Sequence, residues 1–401
     1  MTVKYPENVV KIAEILSKNG YKGYAVGGCI RDAIMGSNPN DWDMTTDCSP
    51  ERMLEIFDSE NIRTIPTGLK HGTVSVLLGD EIYECTTFRI DGSYTDSRHP
   101  DTVTFTSDVC EDLRRRDFTV NAMAGDPLSN FGEIVDVFGG CEDIKNRIIR
   151  AVGDPEKRFT EDALRILRAI RFATVLDFEL EDETKVAAIR LGSRLSDISA
   201  ERKSVELQKI LLSDHADRGI TLLLETDLAK YIHPDIGSPK TDLISLPKRF
   251  STRLAALFGK IPDLSCMKLS GETVKQTKML CDELFFNETV SKYAEKEVCA
   301  RYMLVKYGDL AEDAALLRNN TALAEIILKE KANNPCVSIR DLALSGNDLL
   351  AVGIEAKQIG NIMLSLLLSV IEEPTLNEKE KLIQAALESV PDERNQRNVS
   401  I

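Results

Sequence analysis

The sequence predicts an α+β protein in which a small mixed or antiparallel β-sheet near the N-terminus precedes an all-helical remainder. A chain of 401 residues is long enough for about two to four packed units. Helical periodicity dominates from about residue 154 to the C-terminus. Strand-like segments rich in Thr, Val and Tyr are instead concentrated in the first 147 residues, separated by turn residues: DWDMTT, GTVSVLL, EIYECTTFRI and TVTFTS.

The composition argues against several classes of protein. Hydrophobic residues make up 43% of the chain, as in ordinary globular proteins, and a net charge of −15 disfavours a protein that coats nucleic acid non-specifically. Nine cysteines occur without a CxxC pair, and the four histidines do not combine with them at zinc spacing. We therefore expect buried, reduced thiols and a reducing, cytoplasmic compartment.

The apolar segments predict helices of a globular protein, with no membrane association. Near the N-terminus, a helix over about residues 7–19 spaces one apolar face at Val9, Ile12, Ala13 and Leu16. This segment lacks the unbroken apolar core of a signal peptide. The most apolar late stretch, IMLSLLLSVI from Ile362, is too short to span a bilayer and predicts a core helix.

The segment YAVGGCIRDAIMG, which begins at Tyr24, predicts a short strand, a glycine turn and the start of a helix. Glycines at such a turn let backbone amides approach a phosphate group, and the N-terminus of a helix favours anions. Arg31 follows Gly28 by three residues and can add a charge-assisted hydrogen bond. Taken alone, the glycine pair is more typical of a structural turn.

Asp41 and Asp43 flank Trp42 in a strand-like segment. Strand side chains two residues apart point to the same face, so these carboxylates repel each other unless a cation lies between them. Oxygen ligands of this kind suit Mg²⁺, which binds phosphates and activates a hydroxyl group. A turn or a solvated acid pair is the alternative for this motif alone. Glu84, on a later predicted strand, is either a third carboxylate ligand or a surface acid.

Two arginine-rich segments follow the predicted strands. Residues 114–171 hold eleven Lys and Arg against ten acidic residues, so most of the negative charge lies elsewhere. In EDLRRRDFTVNA, Arg115 and Arg116 precede an apolar stretch; one of them faces a nucleotide, or the segment is a solvated basic turn. In FTEDALRILRAIRFA, Thr160 is the expected N-cap of a helix. The same helix has an apolar stripe that we expect to face the core: Ala163, Leu167, Ile170 and Thr174.

Asp162, Arg165, Arg168 and Arg171 recur at every third position and form a polar ridge on this predicted helix. A solvent-facing ridge is the common explanation of such a pattern. A fixed pair of Asp162 and Arg165 has a second meaning, because it offers acceptors beside donors. Cytosine and adenine present an amino donor beside a ring-nitrogen acceptor, whereas guanine and uracil present carbonyl acceptors. The pair would therefore accept C and A and reject G and U.

The motifs GGCIRD, DWD, RRDFTVNA and EDALRILRAIRF, in this order, resemble the class II tRNA nucleotidyltransferases, which include CCA-adding enzymes and bacterial poly(A) polymerases. The resemblance covers about residues 24–172 and is highly specific. It implies a nucleotidyltransferase head over 1–147 and a neck that reads the nucleotide base over 148–205. A helical body over 206–296 and a helical, tRNA-binding tail over 297–401 would follow.

The resemblance also implies roles for the residues that match these motifs. Asp41 and Asp43 correspond to the catalytic pair that holds two Mg²⁺ ions. The substrates implied are CTP and ATP, and the implied partner is tRNA, bound through its acceptor and TΨC arm. The other matching positions correspond to nucleotide-binding residues: Gly28, Arg31, Arg116, Asp162, Arg165, Arg168 and Arg171.

The implied function is template-independent addition of CCA to the 3′ end of tRNA, with release of pyrophosphate. The segment DGSYTDSRHPDTVTF from Asp91 resembles the family's loop associated with adding the terminal A, which disfavours CC-only activity and leaves A-only addition as an alternative. A poly(A) polymerase is disfavoured by the mixed charge of the C-terminus. A non-catalytic RNA-binding protein on the same fold would have no reason to keep Asp41 and Asp43.

Overall fold

The computed structural model describes residues 3–92, 102–129 and 132–389. The chain divides into two compact units, one formed by Met1–Ile236 with Ser265–Lys268 and the other by Gly237–Leu264 with Leu269–Ile401. The first unit contains the β-sheet, and the second is helical throughout its described part, which confirms the predicted α+β class. The finer division at residues 147, 205 and 296 stays a prediction.

The N-terminal part of the first unit alternates short helices and strands. These elements are α1 (Glu7–Lys18), β1 (Gly23–Val26), α2 (Gly28–Ile34), β2 (Met44–Thr46), α3 (Pro50–Ser59), β3 (Thr64–Gly68), β4 (Thr73–Leu78), β5 (Glu81–Thr87), β6 (Arg89–Asp91), β7 (Val103–Phe105), α4 (Val109–Arg114), β8 (Ala124–Gly125), β9 (Ile134–Val135) and α5 (Gly140–Asn146). The predicted helix at 7–19 and the strand–turn–helix after Tyr24 are confirmed. The predicted strand EIYECTTFRI is interrupted at Phe88 and contributes to two sheets.

Seven strands form one mixed sheet in the order β3-β4-β5-β2-β1-β8-β9. Its neighbouring strands pair antiparallel except β2 and β5, which run parallel. Helices α1 and α3 pack on one face, where Val74 and Val76 of β4 are fully buried. The intervening side chains of β4 and β5, among them Leu77 and Glu84, lie on the opposite face because strand side chains alternate. This opposite face carries the candidate site.

The remainder of the first unit is mainly helical. It contains β10 (Ile148–Ile149), α6 (Pro155–Glu161), α7 (Leu164–Val175), β11 (Glu179–Leu180), α8 (Asp182–Leu191), α9 (Ala200–Leu211) and α10 (Ala216–Glu225). Helix α7 packs against α9 and α10. The predicted apolar stripe is confirmed, since Ala163, Leu167, Ile170 and Thr174 are all buried.

The second unit is formed by α11 (Phe250–Ala255), α12 (Gly271–Leu280), α13 (Glu283–Lys292), α14 (Lys296–Tyr307), α15 (Ala311–Leu316), α16 (Thr321–Ala332), α17 (Gly346–Ala351), α18 (Ala356–Glu372) and α19 (Lys379–Ser389). The stretch IMLSLLLSVI lies in α18 and contributes six buried side chains to a core, as predicted for a core helix. Arg301 closes the C-terminal end of α18 by donating from Nε to the carbonyl oxygen of Ile371 at 2.6 Å. In the described ranges, every helix is too short or too polar to cross a membrane.

Candidate nucleotidyl-transfer site

Asp41 and Asp43 lie immediately before β2, beside strand β1. The backbone N–H of Val26 donates to the carbonyl oxygen of Asp43 at 2.9 Å, which extends the β1–β2 pairing by one residue. Between the two aspartates, the ring of Trp42 packs edge-to-face against Tyr5 with centroids 5.7 Å apart. Because neighbouring side chains of a strand alternate between faces, this aromatic contact directs Asp41 and Asp43 to the opposite face.

Glu84 brings a third carboxylate to this face of the sheet. Met44 pairs with Cys85 in the parallel register of β2 and β5. Asp43 and Glu84 each precede one member of this pair, so they lie at the same level on strands about 4.8 Å apart. Glu84 is exposed. Its place beside Asp43 is compatible with the predicted third ligand, and that role stays a prediction.

The pKa of Asp43 is raised by burial and by this concentration of negative charge. Surrounding protein atoms desolvate its carboxyl group and raise its pKa, although the residue keeps solvent exposure. The charges of Glu84 and Asp41 raise it further, and Arg116 opposes them. Across the described ranges, His, Cys, Asp and Glu form no ready-made group of three or more metal ligands. Mg²⁺ is usually held by one or two carboxylates together with substrate phosphates, which fits the two aspartates.

The glycine turn between β1 and α2 lies against Arg116. Gly27 has a φ of +85°, and a Cβ atom at this position would lie 3.0 Å from Nη1 of Arg116. The backbone conformation therefore favours glycine, and a β-carbon would also make Arg116 shift slightly. Helix α2 begins at Gly28, next in sequence to Gly27, and the N–H groups of its first turn lack intrahelical partners. This combination of amides and a cation suits a phosphate group.

Arg31 is buried beneath this turn. Its Nη1 donates to Oδ1 of Asn121 at 2.6 Å, and its Nε donates to Oδ1 of Asp32 at 2.8 Å. The guanidinium carbon lies 5.4 Å from the ring centroid of Phe172. Protein partners thus fix the position of Arg31, and the phosphate contact implied for it stays a prediction that would use its remaining N–H groups.

A buried aspartate that the sequence pattern did not reveal holds two of the three arginines, Arg115 and Arg116. Asp112 is fully buried, and Arg115 donates to its Oδ1 from Nε at 3.0 Å and from Nη2 at 2.8 Å. Arg116 donates to Oδ2 at 3.3 Å. Desolvation alone would raise the pKa of Asp112, but the two arginines outweigh it and lower that pKa. The spacing of three and four residues from Asp112 to Arg115 and Arg116 could have predicted these ion pairs, because such residues are neighbours on a helix.

Asp117, the acid of the RRD motif, holds Arg168 in the same way. Nε and Nη2 of Arg168 donate to Oδ2 of Asp117 at 2.8 and 2.5 Å, and the backbone N–H of Phe118 donates to Oδ1 at 2.9 Å. Burial acts to raise the pKa of Asp117, but Arg168 and the other donors lower it to about 2. The pair joins the RRD segment to helix α7.

The predicted N-cap at Thr160 is wrong, because the helix there is interrupted. Thr160 lies inside α6, whose N-cap is Asp154, and the chain becomes extended at Asp162 with φ −139° and ψ 104°. Oδ1 of Asp162 then accepts from the backbone N–H of Leu164 at 3.0 Å at the start of α7. The polar ridge is therefore not one continuous helix face: Asp162 precedes α7, and the three arginines lie on it.

Asp162 and Arg165 each have their own protein partners. Oδ2 of Asp162 accepts from Nη2 of Arg202 on α9 at 2.9 Å. Arg165 donates from Nη1 to Oε2 of Glu161 at 2.6 Å and from Nη2 to the carbonyl oxygen of Arg115 at 3.0 Å. A carboxylate accepts about four hydrogen bonds and a guanidinium donates five. Both side chains therefore keep capacity for a base.

Arg171 is held by α9 as well. Its Nε lies 2.9 Å from Oε2 of the buried Glu206, and its guanidinium carbon lies 4.0 Å from the ring centroid of Phe172. Arg168 approaches the same ring at 5.4 Å. A cavity of 460 Å³ opens beside this cluster, between α7 and the end of α9. Helix α9 thus fixes two of the predicted nucleotide-binding residues, Arg171 through Glu206 and Asp162 through Arg202.

The predicted loop from Asp91 to Phe105 is described only at its two ends. Strands β6 and β7 pair antiparallel, with Asp91 opposite Val103 and Arg89 opposite Phe105. The backbone N–H of Arg89 also reaches Oδ1 of Asp112 at 3.4 Å, which connects the base of the loop to the arginine network. Residues 93–101, and His99 with them, lie outside the described residues.

Acidic side chains on a mixed sheet, a glycine turn beside a cation and fixed arginines on a neighbouring helix are groups of the kind that suit a nucleoside triphosphate. Residues 23–150 match the family described as Poly A polymerase head domain, and residues 177–238 match the family described as probable RNA and SrmB-binding site of polymerase A. The fold and the site thus define a nucleotidyltransferase.

Comparisons over nearly the whole chain identify a more specific family. The CCA-adding enzyme of Levilactobacillus brevis is 36% identical over 393 residues, which are 93% of this chain and 96% of that protein. That of Anoxybacillus flavithermus is 36% identical over 394 residues, with 94% and 96% covered. The chain belongs to the family of CCA-adding enzymes.

Solved structures agree with this assignment. The CCA-adding enzyme of Bacillus stearothermophilus in complex with CTP superposes with a TM-score of 0.80 at 32% identity, covering 98% of both chains. The CCA-adding enzyme of Thermotoga maritima complexed with tRNA shares the fold, with a TM-score of 0.73 at 21% identity over 95% of this chain and 94% of that one.

Proposed function

We propose that this protein adds CCA to the 3′ end of tRNA, without a nucleic-acid template, from CTP and ATP. The observation that carries the proposal is the gathering of Asp41 and Asp43, the Gly27 turn and Arg116 on one face of the sheet. The family's enzymes supply the substrate class, since one relative with the same fold was solved with CTP. All nine cysteines are free thiols, as is usual in the cytoplasm, where we place the activity.

Asp41 and Asp43 are the residues that would hold Mg²⁺, with Glu84 as a further candidate. When bound, Mg²⁺ neutralises triphosphate charge and lowers the pKa of the attacking 3′-hydroxyl group. Arg116 and the first-turn amides of α2 would orient the triphosphate, so that the hydroxyl group attacks the α-phosphorus in line and pyrophosphate leaves. In this scheme the fixed side chains contribute mainly by positioning.

Base selection would depend on Asp162 and Arg165. The interruption between α6 and α7 leaves Asp162 outside the helix, and its tie to Arg202 restrains the carboxylate. Arg165 is restrained by Glu161. Two restrained side chains that present acceptors and donors complement the pairing edges of cytosine and adenine, and they leave carbonyl groups of guanine and uracil unmatched. Arg168 and Arg171 would support the same nucleotide through their fixed positions on α7.

The proposal is tested by incubating the protein with labelled CTP or ATP and with tRNAs that lack CCA, CA or only the terminal A. We expect extension of each to a complete CCA end. Addition of A alone would identify an A-adding enzyme, and an open-ended A tail would identify a poly(A) polymerase.

Asp41→Ala should lower incorporation by more than about 100-fold, because the lost carboxylate would hold the Mg²⁺ that neutralises triphosphate charge. Asp80→Ala, at an exposed turn between β4 and β5, is the matched control and should behave as wild type. Full activity of Asp41→Ala would contradict the proposed metal site.

A further inference from the structure

The sheet face that carries the carboxylates continues beyond Glu84 to the edge of the sheet; among the described residues Ile65 and Ile82 are exposed there, whereas Ser75 is buried. Register places Ile65 of β3 and Ser75 of β4 at the level of Glu84, in one row that ends at Asp43. Three strand spacings separate Ile65 from Asp43, which is about 14 Å. The face is therefore longer than the site of nucleotidyl transfer itself.

On one side of this row the face is apolar. Leu77 and Ile82 pair directly across β4 and β5, and the backbone N–H of Leu77 donates to the carbonyl oxygen of Arg63 at 2.9 Å. Ile82 is 62% exposed and Ile65 is 37% exposed. Exposed aliphatic side chains that adjoin the row of Glu84 on one sheet face suit a surface that another molecule covers.

At Ser75 and on the other side of the row the face is lined by short hydroxyl side chains, called the hydroxyl row here: Thr67, Thr73, Ser75 and Thr86. The hydroxyl groups of Thr67 and Ser75 lie 3.0 Å apart, and those of Thr73 and Thr86 lie 3.1 Å apart. Because these short side chains bond to each other across the strands, they extend little above the sheet, and a strand of nucleic acid can approach it closely. Hydroxyl groups also suit the sugars and phosphates of RNA as partners.

Arg63 supplies positive charge at the far end of this surface. It is exposed, next to the edge strand β3. Among residues 3–92, 102–129 and 132–389, its guanidinium has no ion-pair partner, although the chain carries a net charge of −15. An available cation at the end of an apolar and hydroxyl-lined path complements a polyanion.

We propose that this surface, defined by Arg63, Ile65, Leu77 and Ile82 with the hydroxyl row, binds the 3′-terminal single-stranded nucleotides of the RNA primer. The inference rests on the proposed function, which requires a primer hydroxyl group at Asp41 and Asp43. The nucleotide next to the 3′ end then places its base on Ile82 and Leu77. The phosphate group further back lies at Arg63.

The test measures kinetics of ATP incorporation into tRNA that lacks the terminal A, using the full chain. Ile82→Ser should raise KM for tRNA about ten-fold, because an apolar contact is lost, while KM for ATP at saturating tRNA stays constant. Val137→Ser, at a 50% exposed apolar residue elsewhere in the same unit, is the matched control.

Arg63→Gln should reduce the slope of log affinity for tRNA against log salt concentration by about 0.7, the value of one phosphate contact on a single strand. Arg52→Gln, on α3, is its control.

A primer with an abasic nucleotide next to the 3′ end separates a base contact from a general effect. We expect Ile82→Ser to have no further effect on KM for this primer. A ten-fold effect that persists on the abasic primer, or variants that match their controls on normal tRNA, would overturn the inference. Failure of the wild-type protein to incorporate nucleotides would instead overturn the proposed function.

Discussion

The buried pair of Asp117 and Arg168 yields a prediction whose size can be worked out. Asp117 is 9% exposed and its pKa is lowered from 3.8 to about 2. Each pKa unit corresponds to about 1.4 kcal/mol, so ionisation of Asp117 contributes about 2 kcal/mol to the free energy of unfolding at neutral pH. We expect Asp117→Asn to lose at least this amount, because Arg168 is left without its carboxylate.

The sign of the pH dependence follows from the direction of the shift. The folded-state pKa lies below the unfolded value, so the stabilisation is complete above about pH 5 and is lost as the pH falls through the folded-state pKa of about 2. By pH 3, about half of the ionisation contribution should be gone. The difference in stability between wild type and Asp117→Asn should therefore shrink on acidification.

Urea unfolding followed by tryptophan fluorescence measures this difference. Trp42 is the single tryptophan of the chain and lies just before β2 in the first unit, so its fluorescence reports on the unit that contains Asp117. Asp80→Asn is a control at an exposed position. The reasoning is refuted if Asp117→Asn is as stable as wild type at pH 7. It is refuted equally if the gap between them does not narrow by pH 3.

Two further variants test how the site is held. Arg202→Met removes the 2.9 Å hydrogen bond to Asp162. We expect misincorporation of GTP and UTP to rise about ten-fold, because one charge-assisted hydrogen bond is lost. Primer extension with single nucleotides measures this selectivity, and an unchanged value would contradict the proposed restraint of Asp162 by Arg202. Gly27→Ala forces a β-carbon against Arg116 at a φ of +85°. It should destabilise the protein by about 1–3 kcal/mol and raise KM for ATP, with Gly36→Ala, which has open space around it, as the comparison; equal KM values would refute the role of the turn.

Local sequence patterns predicted the elements whose formation depends on near neighbours. The apolar spacing of α1, the strand and glycine turn before α2, and the buried stripe of α7 all match the structure. The opposite directions of Trp42 and Asp43 also follow from strand alternation: Trp42 contacts Tyr5, and its neighbour Asp43 is therefore expected on the other face. These features are determined within a few residues and are therefore visible in the sequence.

Hydrogen bonds and ion pairs between residues far apart in the sequence could not be predicted from local patterns. Asp162 bonds Arg202, forty residues further along the chain, whereas spacing alone suggested that it pairs with Arg165. The helix interruption at Asp162 was missed because FTEDALRILRAIRF has unbroken helical periodicity. Asp112 and Asp117 were overlooked because acids among arginines are usually solvated, and only tertiary packing reveals that both are buried.

The parallel pairing of β2 and β5 sets limits on how this protein can vary. Asp43 and Glu84 reach the same face only because Met44 is aligned with Cys85. Deleting one residue within β5 would turn Glu84 toward α3 and bring a neighbour into its place. Length changes in the connection between α3 and β3 would leave that alignment intact. Homologous chains should therefore tolerate insertions after Ser59. Insertions or deletions within β2 or β5 should be excluded, because they would move Asp43 or Glu84 off the shared face.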